Sequence, residues 1–466
     1  MALRRRSEGR QEELFVPHDR LPRSAGHVFY VRLNRLLAEA GFDRFVERLC
    51  APHYEPSGTP GRPSIPPGVY FRMLLVGYFE GIGSQRGIAW RCHDSLSLRE
   101  FLGVPLSEDA PDHSSLTRVR DRLPLEAHGA AFQFVLTLAD EQGLLKGKTV
   151  GIDSTTLEAS AAMKSIVRKE TGEDWRQYVV GLMRQQGVVE KDQEPTDEEI
   201  RRFDKKRKNK RVSNEDWESK TDPDARIAKL KDGRTHLAYK AEHVVDLESE
   251  IIVGAEVYTA DQSDHHTLCD SVMEAQEHLQ RATDRELPIE EVAADKGYHA
   301  AEQIELAESL ALRTYIPEPD RPHQARWTDK PPELKAAVYA NRRRTTREKS
   351  KRLGRLRSER VERSFAHVCE TGGARRTWLR GIDKVRKRHL IAALARNLGL
   401  MMRALFGMGT PRGLQNQEPA DDGLAAPSRL TQLLVRPLKV ALTIFGTLAP
   451  KARQILANHV SQLLAA

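Results

Sequence analysis

The fold is decided by the stretch at residues 148–156, KTVGIDSTT. Its β-branched residues predict a strand that ends at Asp153. Two further strands are predicted downstream, at 236–246 (HLAYKAEHVVD) and at 250–260 (EIIVGAEVYTA), on either side of the turn signal LESE. The three runs therefore predict neighbouring strands of one sheet.

Helices and strands alternate after these three strands. The expected order is a helix at 264–282, a strand at 288–298, a helix at 300–311, a short strand at 313–317, and helices at 353–368 and 383–406. Three strands followed by helix, strand, helix, strand is the order of an α/β fold.

The region before residue 147 has a helical pattern instead. Apolar residues at helical spacing predict short helices at 27–50 and 68–81, and a Ser/Thr-rich start predicts another at 113–123 that carries Arg118 and Arg120. Short helices that end in a basic one suggest a helix-turn-helix-like DNA-binding module. A helical domain with an ordinary charged face explains the pattern equally well.

The chain is long and basic. Its 466 residues exceed the usual single domain, so at least two domains are expected. The net charge of +8 favours a polyanionic partner such as nucleic acid, and basic residues cluster at 201–211 and 342–363. A solvated charge run is the alternative for each cluster, and the favoured one for the first.

The cysteines and the apolar runs exclude several classes of protein. The four cysteines lie far apart without a CxxC pair, which argues against a zinc ribbon, a redox motif or a disulfide framework. No run of 18 apolar residues is present, so membrane spanning is not expected. The expected location is the bacterial cytoplasm.

Some segments are expected to be peripheral. They are an N-terminal tail at 1–24, a polar insertion at 161–221, a linker at 409–427 and a C-terminal helical tail at 428–466.

Three acidic residues come from separate predicted elements of the α/β region. Asp153 and Asp295 each end a strand, in GIDST and AADKGYH, and Glu362 lies in a helix, in SERVERSF. Magnesium prefers hard oxygen ligands, and carboxylates on rigid elements can hold two ions for phosphodiester chemistry. Strand-end aspartates also cap turns, and a glutamate among arginines often forms surface ion pairs, so spacing alone favours structural roles.

The motifs around these acids resemble those of DDE transposases of bacterial insertion sequences, specifically of the IS-four/IS-five-type superfamily. The matching stretches are GIDSTTLEA, TDPDARIAKLKDGRTHLAYKAEHVVD, ADQSDHHTL, ADKGY and RVERSFAHV, in the right order. The front region is similar to the N-terminal domain of that family through GRPSIPPGVYFRMLLVGYFEGIGSQRGIAWRC and DHSSLTRVRDRL. The resemblance covers roughly residues 25–408.

The resemblance implies a fold, an activity and partners. The fold would be an α/β RNase H-like domain at 147–408, a mixed sheet flanked by helices, behind an all-α DNA-binding domain at 25–128. Asp153, Asp295 and Glu362 would hold Mg²⁺ or Mn²⁺, as two ions, to cut DNA at the element ends before the freed 3′ hydroxyl attacks target DNA. Double-stranded DNA would be the partner, and a homodimer is expected because two ends must be brought together.

One feature departs from the family pattern. Many relatives carry a tyrosine, an arginine and a lysine at fixed offsets around the glutamate, where this chain has Arg355, Ser358 and Cys369. Guanidinium pairs well with phosphate oxygens, so nearby arginines are candidates for these contacts instead. The candidates for DNA contact are Lys296, Arg357, Arg360, Arg363, Arg118 and Arg120.

Alternatives remain at the level of residue and of function. Glu359 lies about one helical turn before Glu362 and competes with it as the third acid. A nuclease of the same fold that cuts without joining would use the same metal chemistry, and a catalytically inactive DNA-binding relative would keep the fold.

Overall fold

The front of the chain is helical, as predicted. The computed structural model describes residue 17 and residues 28–55, 64–190, 192–207, 213–230, 233–319 and 330–414. The front helices are α1 (Val28–Glu39), α2 (Phe42–Cys50), α3 (Pro67–Glu80), α4 (Gln85–Asp94), α5 (Leu96–Leu102), α6 (His113–Arg122) and α7 (Leu125–Glu141). Helix α3 is apolar almost all round, with ten buried residues, and it therefore runs through the middle of the helical layer.

The strands follow α7. They are β1 (Thr149–Glu158), β2 (Ile166–Arg168), β3 (Trp217–Ser219), β4 (Arg226–Lys229), β5 (Thr235–Asp246), β6 (Ile252–Thr259), β7 (Glu291–Ala293) and β8 (Arg313–Tyr315). The main sheet has the order β4-β5-β1-β7-β8, with β6 also paired to β5. Strands β1, β5 and β6 are antiparallel, whereas β7 and β8 run parallel to β1. The predicted α/β order is confirmed, although β7 is shorter than predicted. The prediction that the first strand ends at Asp153 is wrong, because β1 stays paired with β5 as far as Glu158 and Asp153 lies in its middle.

Helices flank this mixed sheet. They are α8 (Trp175–Gln185), α9 (Asp197–Lys206), α10 (Asp264–Ala282), α11 (Ala301–Ser309), α12 (Pro332–Thr345), α13 (Glu348–Ala366) and α14 (Ile382–Phe406). Consecutive residues of β5 face opposite sides of the sheet. Glu242 accepts from Thr267 of α10, whereas His243 contacts Ser364 of α13 and His389 of α14. The sheet therefore lies between α10 on one face and α13 with α14 on the other.

The insertion predicted at 161–221 has secondary structure of its own. Strands β2 and β3 pair in antiparallel fashion, and α8 and α9 both begin with capping boxes, at Asp174 and Thr196. The apolar cluster of this region is small, as its polar composition predicts, and consists of Val179, Val180, Met183 and Ile200. Helix α12 was not predicted, because it lies in a proline-rich and basic stretch with little apolar periodicity.

One hydrophobic cluster joins the helical front to the sheet, running from Phe29 in α1 to Met402 in α14. Helix α7 is the main connection, since its Gln133 side chain donates to the carbonyl of His278 in α10 at 3.0 Å. The domain boundary expected at residue 128 falls within this helix. The predicted division into two domains stays a prediction.

Several predicted segments lie wholly or partly outside the described residues. The tail at 1–24 is described only at residue 17, and the linker at 409–427 only as far as residue 414. The C-terminal tail at 428–466 lies entirely outside them. Among the helices that are described, none has the length and apolar character needed to cross a membrane.

Candidate active site

Asp153 lies on β1, and Asp295 follows the end of the neighbouring parallel strand β7 by two residues. Gly151 of β1 pairs with Ala293 of β7, and each aspartate follows its paired residue by two positions. Paired strands lie about 4.8 Å apart, so continuing this register brings the two aspartates side by side. Residues two apart on a strand point to the same face, and Asp153 therefore faces the same side as Gly151.

The carboxylate of Asp153 is compensated by an arginine. Its Oδ2 accepts from Arg357 Nη1 at 2.7 Å, and its Oδ1 accepts from the backbone N–H of Ser154 at 2.8 Å. Burial raises the pKa of Asp153, and the charge of Asp295 raises it further, while Arg357 and the Ser154 bond act against them. The net pKa is above the ordinary value, so burial outweighs the stabilisation that Arg357 and the Ser154 bond give to the ionised carboxylate.

Asp295 begins a tight turn after β7. Its Oδ1 accepts from the backbone N–H of Gly297 at 2.8 Å, at the start of a short 3₁₀ turn. Lys296 is exposed at this turn, which keeps it a candidate for DNA contact. Tyr298 is instead fully buried and donates to Glu242 at 2.7 Å. Tyr298 therefore anchors the turn and does not face a ligand.

A buried polar network supports both aspartates from the opposite face of the sheet. Lys240 lies between two carboxylates, 3.1 Å from Glu242 Oε1 and 2.9 Å from Asp264 Oδ1. Ser154, the neighbour of Asp153, donates to the same Asp264 oxygen at 2.8 Å. This network ties β1, β5, α10 and the turn after Asp295 together. Sequence reasoning missed it, although a lysine and a glutamate within the apolar run HLAYKAEHVVD were the available signal.

Helix α13 packs directly across β1 because Gly151 has no side chain. A Cβ at this position would lie 3.1 Å from Arg357 Cγ, 3.1 Å from Val361 Cγ2 and 2.8 Å from Leu247 Cδ2. This close approach lets Arg357 reach Asp153. The glycine two residues before Asp153 thus sets the distance between the helix and the carboxylate.

A chain of buried hydrogen bonds sets the position of α13 on the sheet. His243, which pairs with Asp153 across β1 and β5, lies 2.8 Å from Ser364 Oγ of α13 and 3.0 Å from His389 Nε2 of α14. The His243 ring also stacks on Phe365, with a centroid distance of 4.0 Å. Burial lowers the pKa of both histidines, that of His389 to about 4, so both are neutral at pH 7.

The two candidate glutamates of α13 differ in their partners. Glu359 forms an ion pair with Arg363, which also contacts Glu250 at 2.8 Å. Arg360, on another side of the helix, donates to the Leu247 carbonyl, beside the start of β1. Because Glu359 and Glu362 are three residues apart, they lie only about 60° from one another around the helix, and both remain candidates for the third acid.

Glu362 is exposed, and its Oε1 accepts from Ser358 at 2.8 Å. Ser358 stands where many family members carry arginine, and here it orients the glutamate through this bond. The structure brings Asp153 and Asp295 together and leaves Glu362 on the flank of α13. Within the described ranges, no group of three or more His, Cys, Asp or Glu side chains is arranged to hold a metal ion.

The arginines predicted to contact DNA are mostly engaged within the protein. Arg357, Arg360 and Arg363 bind Asp153, the Leu247 carbonyl and Glu250, respectively. Arg118 is exposed and donates to Ser114 at 3.0 Å, so it remains available on the surface of α6. Arg120 is only 6% exposed, and its predicted contact with DNA stays a prediction.

The helical front and the mixed sheet with flanking helices fit a DDE transposase. Comparison with protein families gives two matches: a transposase domain (DUF772) at residues 16–122 and a transposase DDE domain at residues 320–402. Together they support a DDE transposase and confirm that part of the resemblance, without specifying the IS-four/IS-five-type superfamily. The second match includes Glu362 but begins after both aspartates in the sequence. No curated protein and no solved structure matches the chain.

Proposed function

We propose that the protein cleaves DNA strands at the ends of an insertion sequence and transfers the freed 3′ ends into target DNA. The observation that carries this proposal is that Asp153 and Asp295 each lie two residues beyond the paired residues Gly151 of β1 and Ala293 of β7. Two carboxylates held this way concentrate negative charge at one point of a rigid sheet. The two transposase matches supply the class of substrate.

The strand arrangement supports an RNase H-like catalytic domain. Counting only β1, β5, β6, β7 and β8 in chain order, the sheet reads 3-2-1-4-5. The first three are antiparallel and the last two run parallel to the first. In this arrangement the proposed acids come from the first strand, the end of the fourth strand and a late helix.

The donor set fits a hard divalent cation. Asp153 and Asp295 offer carboxylate oxygens, which are the ligands that Mg²⁺ and Mn²⁺ prefer. Burial and the charge of Asp295 raise the pKa of Asp153, and a bound cation would stabilise its ionised carboxylate. When bound, one or two such ions supply activation of the attacking oxygen and stabilisation of the leaving oxygen.

The residues of the chain have distinct roles in this proposal. Asp153 and Asp295 hold the metal from the sheet, and Glu362 completes the set from the flank of α13. Arg357 compensates Asp153 and stands next to the position of the scissile phosphate, where its guanidinium can also pair with a phosphate oxygen. The buried bond between His243 and Ser364 keeps α13, and with it Glu362, in register with the sheet.

Double-stranded DNA is the proposed partner, both as element ends and as target. Joining two ends requires two active sites, so a homodimer assembled on DNA is part of the proposal. Surface residues Lys296 and Arg118 are the exposed candidates for phosphate contact among the basic residues considered above. Binding that depends on such contacts weakens steeply as salt concentration rises.

The catalytic proposal is tested with matched variants of the acids. DNA carrying the element end is incubated with Mg²⁺ and wild-type protein, and with the variants Asp295→Asn, Glu362→Gln and Glu359→Gln. We expect Asp295→Asn and Glu362→Gln to lose cleavage by at least a hundredfold, because each removes a ligand charge without changing size. Glu359→Gln should cleave within about threefold of wild type, since Glu359 only pairs with Arg363. Unchanged cleavage by Asp295→Asn contradicts the assignment of the acids.

A second assay separates transposition from simple hydrolysis. A pre-cut end with a free 3′ hydroxyl is supplied with target plasmid, and joined products are counted. Joining supports a transposase. Cleavage without joining indicates a nuclease on the same fold, and absence of both with intact DNA binding indicates an inactive relative.

A further inference from the structure

A cavity of about 320 Å³ lies between the helical front and α14, outside the candidate active site. Residues from α3, α4 and α6 form one wall, and α14 with the segment at 372–379 forms the other. Specific ligand cavities start at about 300 Å³, so the space is large enough for a small ligand. It holds none of the three acids proposed for catalysis.

Three of its basic side chains are buried. Arg120 is 6% exposed and Lys387 is 8% exposed, and Arg388 is partly buried beside them. Lys387 donates to the Arg120 carbonyl at 3.1 Å, and Arg388 donates to the Gly373 carbonyl at 2.8 Å. The Arg120 guanidinium lies 2.7 Å from the Gln85 side-chain oxygen in the amide orientation that satisfies both groups. All of these partners are neutral.

No carboxylate forms an ion pair with these three cations within the ranges that the structure describes. The carboxylates of Asp383 and Asp121 act on Lys387 from beyond ion-pair distance, and Asp121 is itself paired with Lys384 at 2.9 Å. Burial, and after it the charge of Arg120, lowers the pKa of Arg388 to about 10. Burying several charges of one sign with only distant counter-charges is unfavourable, and a bound anion reduces that penalty.

Apolar and aromatic residues form another part of the cavity wall, beside the polar residues Ser84, Gln85, Arg86 and His113. Leu74, Ile88 and Ile391 line it, and Trp378 stands at its edge with 58% of its surface exposed. An exposed tryptophan beside an apolar wall offers a stacking surface for a planar ring. A cavity with cations on one side and an aromatic edge on the other suits a ligand that is both anionic and planar.

The cavity is connected to the strand that carries Asp153. The backbone N–H of Thr377 donates to the Glu158 carbonyl at 2.9 Å, at the end of β1. Glu158 lies five residues beyond Asp153, or roughly 17 Å along an extended strand. The cavity wall at 372–379 and the strand that carries Asp153 are therefore joined directly.

We propose that this cavity binds one nucleotide, with its phosphate at Arg120, Lys387 and Arg388 and its base against Trp378 and the apolar wall. The nucleotide comes either from a DNA strand or from the free pool, and the two sources share this chemistry. Binding at this site needs neither a divalent metal nor the catalytic acids.

The test measures binding to the full-length protein in EDTA, so that its outcome is independent of cleavage. Isothermal titration calorimetry is run with inorganic phosphate, with thymidine monophosphate and with a thymidine pentanucleotide. Lys387→Met should weaken all three ligands at least tenfold, whereas Trp378→Ala should weaken only the two that carry a base. The matched control is Lys384→Met, on the same helix and exposed, which should bind as wild type does.

The ligands also distinguish the sources. Tighter binding of the pentanucleotide assigns the site to DNA, and binding of the mononucleotide alone assigns it to the free pool. Absence of all binding by wild type, or equal binding by Lys387→Met, overturns the proposal. Loss of phosphate binding in Lys387→Met with unchanged mononucleotide binding in Trp378→Ala overturns the part that concerns the base.

Melting temperatures show whether Lys387→Met loses binding because it is misfolded. Phosphate should raise the melting temperature of wild type by mass action and leave that of Lys387→Met unchanged. Without ligand, Lys387→Met should melt at or above the wild-type temperature, because the substitution removes a buried unpaired charge. A large fall in melting temperature together with a retained phosphate effect contradicts the anion site.

Discussion

Replacing Arg357 with methionine leaves Asp153 as a largely buried carboxylate without its counter-charge. The two side chains are 13% and 20% exposed and meet at 2.7 Å. Removing one partner of a fully buried pair costs about 3–5 kcal/mol, whereas an exposed pair contributes about 0–1 kcal/mol. Because this pair retains some access to solvent, we expect Arg357→Met to lower the free energy of unfolding by about 2 kcal/mol at pH 7.

The loss should depend on pH in a defined direction. Burial raises the pKa of Asp153 even with Arg357 present, so the folded protein binds this proton more tightly than the unfolded chain does. The ionised carboxylate therefore destabilises the fold above its folded pKa, and removing Arg357 raises that pKa and the penalty further. Acidification towards the unfolded value of about 3.9 protonates Asp153 in the fold, and the difference between wild type and variant should shrink.

Urea unfolding between pH 5 and pH 7 measures this effect in a double-mutant cycle. The cycle compares wild type, Arg357→Met, Asp153→Asn and the double variant, with the dependence on urea checked to be equal. In the Asp153→Asn background, Arg357→Met should have a small effect that does not change with pH. A coupling energy below about 0.5 kcal/mol at pH 7, or one that stays constant with pH, would refute the reasoning.

Two further predictions concern the packing of α14. Asn397 is fully buried and both accepts from the N–H and donates to the carbonyl of Ile252, so Asn397→Ala should lower the free energy of unfolding by about 2–4 kcal/mol in urea, and an effect under about 1 kcal/mol contradicts these two bonds. His389 has a pKa of about 4, below its ordinary value, so the folded state resists protonation and stability is complete above about pH 6.5 and falls on acidification towards pH 4. Wild type should lose about 1.4 kcal/mol per pH unit more than His389→Gln in this window, and parallel curves would show that His389 is not a neutral buried group.

Local pattern predicted some elements closely. Helices α10 and α14 lie within one residue of their predicted limits, because helical apolar spacing reports directly on burial. Strand β1 instead runs five residues past its predicted end at Asp153, and α13 begins five residues before its predicted start. Helix α12 escaped prediction, since its fourteen residues contain few apolar ones and follow a proline-rich stretch. Sequence pattern predicts a helix poorly where only a few of its residues are buried.

The candidate site was predicted as separate residues and not as an arrangement. The motifs named Asp153, Asp295 and Glu362, and they left Glu359 open. What the structure adds is the docking of α13 across Gly151, which brings Arg357 to Asp153. A helical position has no direction until the helix packs against something, so the sequence could not show this contact.

For the basic residues too, some properties follow from the sequence alone and others only from tertiary packing. The sequence by itself determined that the chain is basic, that Asp295 follows a strand and Glu362 lies on a helix, and that the order of elements is α/β, because these properties depend on neighbours along the chain. Tertiary structure decided that Arg357 meets Asp153 across 204 residues and that Arg120 lines a cavity instead of an open face. Charge and burial are pairwise properties in space, and the partners that set them are brought together only when the sheet and its helices have packed.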